Sequence, residues 1–173
     1  MKRIEFLGKL RALVKEHGSE NIVYMDESGF QAESYRPHGW APVGQKIYGD
    51  VSGNNRKVDN LIMAQRTDRD RTVHWLAPIL FQGSCTKEWV LDWFKIHLLP
   101  ALNKVSVIVL DNARFHDMEA IRQIIEPFGH KLLPLPPYSP DFNKIENTFG
   151  TLKNRRQFLP HGTPLDTMFL SNY

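Results

Sequence analysis

The sequence predicts an α/β fold: a mixed sheet, with an antiparallel hairpin plus parallel strands, that carries helices on both faces. Three observations predict this class. Two apolar, β-prone runs at 58–66 and 72–81 are joined by a short polar link, which indicates a hairpin. The run at 105–110 is apolar at nearly every position, as in a central strand. After it, helical and extended segments alternate.

The chain begins with a predicted amphipathic helix over residues 3–17, which Gly18 is placed to end. The apolar stripe of this helix is Ile4, Leu7, Leu10 (or Arg11) and Val14. A short strand is predicted at 21–25 because this run is rich in strand-forming residues.

Residues 31–57 contain Pro and Gly at short intervals and predict a loop-rich insert, with at most a short strand near 45–48. Tyr35 and Trp40 lie in this insert. They favour a small satellite core, and the alternative is that they offer stacking surfaces for bases.

The second half of the chain follows the alternating pattern. A helix is predicted at 86–99 with Thr86 as its N-cap, followed by the strand at 105–110, a helix at 117–126 and a short strand at 131–135. Prolines stiffen the lead-in to a last helix, which runs to about residue 158. We therefore expect an N-terminal helix and linker (1–19), one central domain (20–160) and a C-terminal tail (161–173).

Composition bounds the function. The 173 residues, 42% hydrophobic and 24% charged, are enough for one domain with a sizeable core. A formal net charge of +3 is compatible with a phosphate-rich partner without requiring one. The single cysteine, Cys85, excludes an internal disulfide and a multi-cysteine zinc site, and fits a reducing cytoplasm. No apolar run is long enough to span a membrane.

Three carboxylates stand where elements of the predicted sheet meet. Asp26 is expected to end the first strand, Asp111 ends the central strand, and Glu146 lies in the first turns of the last helix. If the two strands are parallel neighbours, their carboxylates end side by side at one sheet edge, and the last helix can bring Glu146 to the same edge. Such carboxylates would repel one another, and a hard divalent cation, Mg²⁺ or Mn²⁺, removes that conflict.

Two of the three carboxylates also have a purely structural interpretation. Asp26 could belong to a turn with the Ser-Gly that follows it, and Glu146 could form a capping box with Asn143 behind a Ser139 cap. Glu27 falls on the opposite side of its strand from Asp26 and is expected to be structural. Asp141 is expected to start the helix rather than to bind a metal.

Four motifs, in this order, carry a resemblance. They are Asp-Glu-Ser-Gly-Phe at 26–30, Gly-Trp-Ala-Pro at 39–42, Leu-Asp-Asn-Ala-x-Phe-His at 110–116, and Pro-Pro-Tyr-Ser-Pro-Asp-Phe-Asn-x-Ile-Glu at 136–146. Together they resemble bacterial insertion-sequence transposases of the mariner superfamily. Asp111 and Glu146 are separated by 34 residues, a spacing that matches the bacterial branch of that superfamily.

The resemblance implies an RNase H-like catalytic domain with a DDE triad. Asp26, Asp111 and Glu146 match its three catalytic, metal-binding carboxylates, which would hold two Mg²⁺ (or Mn²⁺) ions. The implied activity is metal-dependent hydrolysis at transposon ends, followed by attack of the freed 3′-hydroxyl on target DNA. The implied setting is the bacterial cytoplasm, in association with the nucleoid, with a dimer or larger assembly during transposition and no membrane.

The sequence departs from the family pattern at two points. Lys144 stands where the family most often has proline, which adds a charge near the site without moving Glu146. The helix-turn-helix modules that normally precede the catalytic domain are absent from these 173 residues. We therefore expect weak recognition of specific DNA ends by this chain, and a helix-turn-helix region encoded upstream is an expected partner.

Other polar residues near the carboxylates could bind DNA or support the site. The candidates for phosphate contacts are Arg114, Lys144, Lys153, Arg155 and Arg156. Asn112 and His116 are expected to hold the loop around Asp111.

Two other functions remain open from the residues. The chain could be an inactive or truncated remnant that still binds DNA, or another RNase H-like nuclease. A glycosidase that uses a carboxylate pair is disfavoured by the third carboxylate, by the mild basicity and by the order of the motifs.

Overall fold

A computed structural model describes residues 2–31, 39–48, 58–160 and 163–170. The strands are β1 (Ile22–Gln31), β2 (Val58–Thr67), β3 (Val73–Gln82), β4 (Val107–Leu110) and β5 (Lys131–Pro134). The α-helices are α1 (Lys2–His17), α2 (Lys87–Trp93), α3 (Leu99–Ala101), α4 (Met118–Ile125), α5 (Ile145–Arg156) and α6 (Thr167–Leu170). A π-helical segment (Phe94–Leu98) joins α2 to α3, and 3₁₀ turns precede β1, follow α4 and precede α5.

The five strands form one mixed sheet in the order β3-β2-β1-β4-β5. The pairs β3–β2 and β2–β1 are antiparallel, whereas β1–β4 and β4–β5 are parallel. The predicted hairpin and parallel strands are therefore confirmed. β4 is buried along its whole length, as its continuous apolar sequence predicts.

Two apolar clusters cover the two faces of the sheet. Side chains on β1 alternate between them, so that Tyr24 packs with α1 and α5, while Val23 and Met25 pack with α2, the π-helical segment and α4. The predicted cap of α2 is present, since Thr86 accepts a hydrogen bond from the backbone N–H of Trp89. In α4, Asp117 accepts a corresponding hydrogen bond from the backbone N–H of Ala120. Helices therefore lie on both faces, as predicted.

Several local predictions were wrong. In α1, Ile4 is 78% exposed, and Phe6 is the buried residue instead. Trp40 is fully exposed, so it does not belong to a satellite core. Residues 45–48 contain no strand, which the prediction of at most a short strand there allows. Tyr35 lies outside the described residues. β1 continues six residues beyond the predicted end at 25, because the segment from Asp26 to Gln31 stays paired with β2.

The segment after residue 160 is more than the predicted tail. Leu165 and Met168 are buried in the cluster that also contains residues of α1 and α5. The described part of this segment, residues 163–170, therefore contributes to the core on that face of the sheet.

We expect Leu165→Ala and Met168→Ala each to lower the free energy of unfolding by about 2–3 kcal/mol, because each removes buried apolar volume. Urea denaturation followed by circular dichroism measures this change. Ile4→Ala, at an exposed position of α1, is the matched control and should change stability by less than about 0.5 kcal/mol. Equal stabilities of all three variants and the parent chain would show that the segment is a tail after all.

Candidate active site

The pairing of β1 with β4 places the first two carboxylates. The parallel register aligns Ile22 with Val107 and Tyr24 with Val109. Asp26 lies two residues after Tyr24 within β1. Asp111 lies two residues after Val109, just beyond the end of β4. The prediction that Asp26 ends its strand was wrong, because β1 continues with β2 as its partner. The strand that ends at this point is β4. Beyond its end, β1 has no strand partner on that side among the described residues, and both carboxylates border the space that is left.

Asp26 is held by two hydrogen bonds. The backbone N–H of Glu27 donates to Oδ1 at 2.8 Å, and the side-chain amide of Asn143 donates to Oδ2 at 3.0 Å. Burial raises the pKa of the Asp26 carboxyl to about 7, and the negative charges of Glu27, Asp111 and Glu146 act in the same direction. Asp26 is therefore fixed in orientation but is costly to ionise in the absence of a cation.

Asp111 is supported from the opposite face of the sheet by a buried imidazole. His116 Nδ1 lies 2.9 Å from the Asp111 carboxylate Oδ1 and 3.1 Å from its carbonyl oxygen, while Nε2 lies 3.1 Å from Glu27 Oε1. Burial acts to lower the pKa of His116, but these acidic partners outweigh it and raise the pKa to about 10. The same contact lowers the pKa of Asp111. His116 thus acts as a cation between Asp111 and Glu27.

The loop after β4 is tied in place by short contacts. The backbone N–H of Ala113 donates to Asp111 Oδ1 at 3.0 Å, and the Asn112 amide donates to the Leu135 carbonyl at 2.6 Å. Asn112 and His116 therefore both contact the loop that carries Asp111 or the segment beside it. Glu27, on the other side of β1 from Asp26, contacts His116, which agrees with its expected structural role.

Glu146 reaches the site through the segment that precedes α5. A 3₁₀ turn over Pro140–Phe142 leads to Asn143, and Glu146 lies in the first turn of α5 with its side chain exposed. The capping-box alternative does not describe this segment. Neither Ser139 nor Lys144 makes a side-chain cap, and the Asn143 amide is directed to Asp26 and to the Met25 carbonyl.

One cavity of about 500 Å³ collects these residues. Asp26, Asp111 and Glu146 all line it, with Asn143 beside them; its remaining wall is Asn112, Ala113 and residues 135–140. Among the described residues, no three His, Cys, Asp or Glu side chains stand close enough to hold one metal ion together. The donor set is nevertheless all oxygen, and Mg²⁺ commonly takes one or two carboxylates and leaves its other positions to water and phosphate. The donor chemistry of the cavity therefore fits a hard divalent cation.

The predicted phosphate contacts divide into two groups. Arg114, Lys144, Lys153 and Arg155 are exposed. Lys144 also lies over the Tyr24 ring, with its ammonium 5.7 Å from the ring centroid. The prediction that Arg156 contacts phosphates is corrected. Arg156 is only 7% exposed, and its guanidinium donates to the Thr163 carbonyl. Arg156 supports the C-terminal segment and cannot reach DNA in this structure.

Sequence reasoning missed three residues at the site. Asn143 was considered only as a capping residue. Tyr138 lies at the cavity wall, fully exposed, with a left-handed backbone (φ 53°). Arg3 binds Asp141, which lies in the predicted helix-start segment. The prolines that flank Tyr138 were a usable signal, since they fix the chain on either side of it, but nothing local indicates the Arg3 contact.

The raised pKa of Asp26 makes the stability of the metal-free protein depend on pH. The folded state keeps this proton up to about pH 7, whereas the unfolded chain releases it near the ordinary value of 3.8. Between these values the folded state binds more protons, so the free energy of unfolding falls as pH rises, by up to about 4 kcal/mol from this group. We expect Asp26→Asn to remove that fall, as measured by urea denaturation in EDTA from pH 4 to 7. Parallel pH profiles for both proteins would contradict the pKa assignment.

Comparisons with known proteins were made for the sequence and for the fold. A family model described as DDE superfamily endonuclease matches residues 21–161. A search of curated proteins returned no match. Within the described residues, no helix combines the length and the apolar character needed to cross a membrane.

Solved structures of Mos1 transposase share the fold. A Mos1 mariner paired-end complex with Mn is similar at 16% identity and a TM-score of 0.79, covering 99% of this chain and 53% of that one. The catalytic domain of Mos1 mariner transposase is similar at 15% identity and a TM-score of 0.68, covering 98% of this chain and 77% of that one. A Mos1 paired-end complex with the left transposon end is similar at 19% identity and a TM-score of 0.72, covering 89% of this chain and 47% of that one. The chain spans about half the length of the transposase in these two paired-end complexes. The similarity to the Mos1 catalytic domain confirms the predicted RNase H-like fold.

Proposed function

The chain belongs to the DDE superfamily of endonucleases, and from this premise we propose that it is the catalytic domain of a DNA transposase. In the proposed reaction, water attacks a phosphodiester at a transposon end, the bond from phosphorus to the 3′ oxygen breaks, and a 3′-hydroxyl is released. That hydroxyl then attacks a phosphodiester of target DNA and displaces a 3′ oxygen there. The observation that carries the proposal is the cavity that Asp26, Asp111 and Glu146 all line.

We assign Asp26, Asp111 and Glu146 as the residues that hold two divalent cations, Mg²⁺ or Mn²⁺. Bound there, the cations would activate the attacking oxygen and neutralise charge on the scissile phosphate. Asn143 and the Glu27 backbone orient the Asp26 carboxylate. His116, buried between Asp111 and Glu27, orients Asp111 and keeps it ionised. Support for the metal comes from the oxygen-only donor set and from the raised pKa of Asp26, which a cation would relieve.

DNA is the proposed partner in both steps, as the transposon end that is cleaved and as the target that is attacked. The exposed Arg114, Lys144, Lys153 and Arg155 are the proposed phosphate contacts. The similar Mos1 structures hold a transposon end in one case and a strand transfer complex in another. By analogy we propose a dimer or larger assembly that holds two ends together, end recognition by an upstream helix-turn-helix region, and action on DNA in the bacterial cytoplasm at the nucleoid.

The deciding experiment is a cleavage and strand-transfer assay with Mg²⁺ or Mn²⁺ on DNA that carries the ends of the encoding element. It is run with and without the upstream reading frame. Metal-dependent release of 3′-hydroxyl ends, followed by their covalent joining to target DNA, is the expected result. DNA binding without either product, in the presence of the upstream region, would instead support the inactive remnant. Nicking without joining would support another RNase H-like nuclease.

A further inference from the structure

The N-terminal helix α1 grips the segment that leads to Glu146. Arg3 makes a bidentate ion pair with Asp141: one guanidinium nitrogen donates to Oδ1 at 3.0 Å and the other to Oδ2 at 2.6 Å. The first of these nitrogens also donates to the hydroxyl of Ser139 at 3.0 Å. α1 precedes the residues that the family model matches, so this grip comes from outside the matched domain.

Aromatic contacts strengthen the same grip. The carbon at the centre of the Arg3 guanidinium lies 4.2 Å from the centroid of the Phe142 ring, which favours a cation–π contact. Phe6, one turn further along α1, stacks on the same Phe142 ring, with 5.4 Å between the ring centroids and an interplanar angle of 9°. Two residues of one helix therefore hold three residues of the 139–142 segment.

The gripped segment connects directly to the carboxylates. It is followed at once by Asn143, which is 2% exposed and donates to Asp26. The backbone N–H of Glu146 in turn donates to the Asn143 carbonyl at 3.2 Å. A displacement of residues 139–142 would thus move two things together: Asn143, the hydrogen-bond donor to Asp26, and the start of α5.

We propose that Arg3 is a positioning residue of the active site: by binding Asp141, Ser139 and Phe142 it fixes Asn143 and Glu146 relative to Asp26 and Asp111. This inference rests on the proposed metal-dependent function for its kinetic consequence, but its structural consequence does not. Arg3 touches neither DNA nor metal in this scheme. It acts through the 139–142 segment.

The geometry of the grip predicts which substitutions are tolerated. Lysine at position 3 keeps one charge but cannot form the two parallel hydrogen bonds of the guanidinium. We therefore expect Arg3→Lys to be intermediate between the parent chain and Arg3→Ala. The exchange Arg3→Asp with Asp141→Arg restores the pair with reversed charges and should recover part of the loss.

The test has a readout that is independent of activity. Amide hydrogen exchange without metal should be about three- to tenfold faster at residues 141–146 in Arg3→Ala and Asp141→Ala, and unchanged in β4. Lys9→Ala is the matched control, because it removes an exposed ion pair of the same helix, with Glu5, that is remote from the segment. Global unfolding in urea is measured for every variant, so that a general loss of stability is recognised.

The kinetic arm follows the dependence of DNA nicking on Mg²⁺ concentration. Arg3→Ala should raise the Mg²⁺ concentration for half-maximal nicking about three- to tenfold, with a smaller effect on the rate at saturating Mg²⁺. Unchanged exchange at 141–146 together with an unchanged Mg²⁺ requirement would overturn the proposal. If the parent chain does not nick DNA at all, the proposed function fails, and the exchange arm alone decides whether Arg3 positions the segment.

Discussion

Asp111→Asn and Glu146→Gln are each expected to reduce metal-dependent nicking of DNA at least about 1000-fold. Either change removes a charge from the oxygen donors of the cavity. A catalytic metal contributes several kcal/mol to transition-state stabilisation, and each 1.36 kcal/mol corresponds to a factor of ten in rate. The measurement is the initial rate of nicking of end-bearing DNA at saturating Mg²⁺ and at saturating Mn²⁺.

The fold should survive these two changes. Glu146 is exposed and the Asp111 side chain is about half exposed. The buried His116 loses the charge of Asp111 in Asp111→Asn but keeps Glu27 as its partner, at 3.1 Å. Asp92→Asn, at an exposed position of α2 on the other face of the sheet, is the matched control and should nick at the parent rate. Nicking by Asp111→Asn or Glu146→Gln at the control rate would remove that residue from the active site.

Binding of DNA without regard to sequence should weaken about 100-fold between 50 and 200 mM salt. Four exposed cations, Arg114, Lys144, Lys153 and Arg155, are the proposed phosphate contacts, and each neutralised phosphate contributes about −0.9 to the slope of log K against log salt. Fluorescence anisotropy with a labelled duplex measures this slope in EDTA, where no cleavage takes place.

Single substitutions separate the contributions of these cations. Lys153→Gln and Arg155→Gln should each reduce the magnitude of the slope by about 1, because each removes one phosphate contact. Lys87→Gln, at an exposed position of α2, is the control and should leave the slope unchanged. A slope near zero for the parent chain would contradict DNA as the partner.

The central part of the fold could be predicted because the relevant signals are local. The apolar run of β4 and the polar link of the hairpin each specify one element, and a parallel pair then brings Asp26 and Asp111 together by register alone. The end of β1 could not be predicted in this way. Ser28 and Gly29 favour a turn locally, but in the structure they pair with Leu61 and Asn60 of β2, and this non-local ladder extends the strand.

The supporting contacts depend on positions far apart in the chain. Arg3 and Asp141 are 138 residues apart, and neither carries a pattern that points to the other. Arg156 looks like a solvated cation at the end of a basic helix. It is buried instead, and its guanidinium donates to the carbonyl of Thr163 in the described segment 163–170. The role of Asn143 was equally hidden, because an amide that precedes a helix suggests a cap before it suggests a partner for a distant aspartate.

The alternation of Asp26 and Glu27 across the sheet constrains how the gene can change. The two neighbouring acidic residues serve opposite layers, one in the cavity and the other against His116. Because side chains in a strand alternate with a period of two, an insertion or deletion of a single codon between Ile22 and Asp26 would exchange their faces. Selection on β1 would therefore act on its length as well as on its composition, because a change of one residue in length would move both carboxylates to the wrong layer.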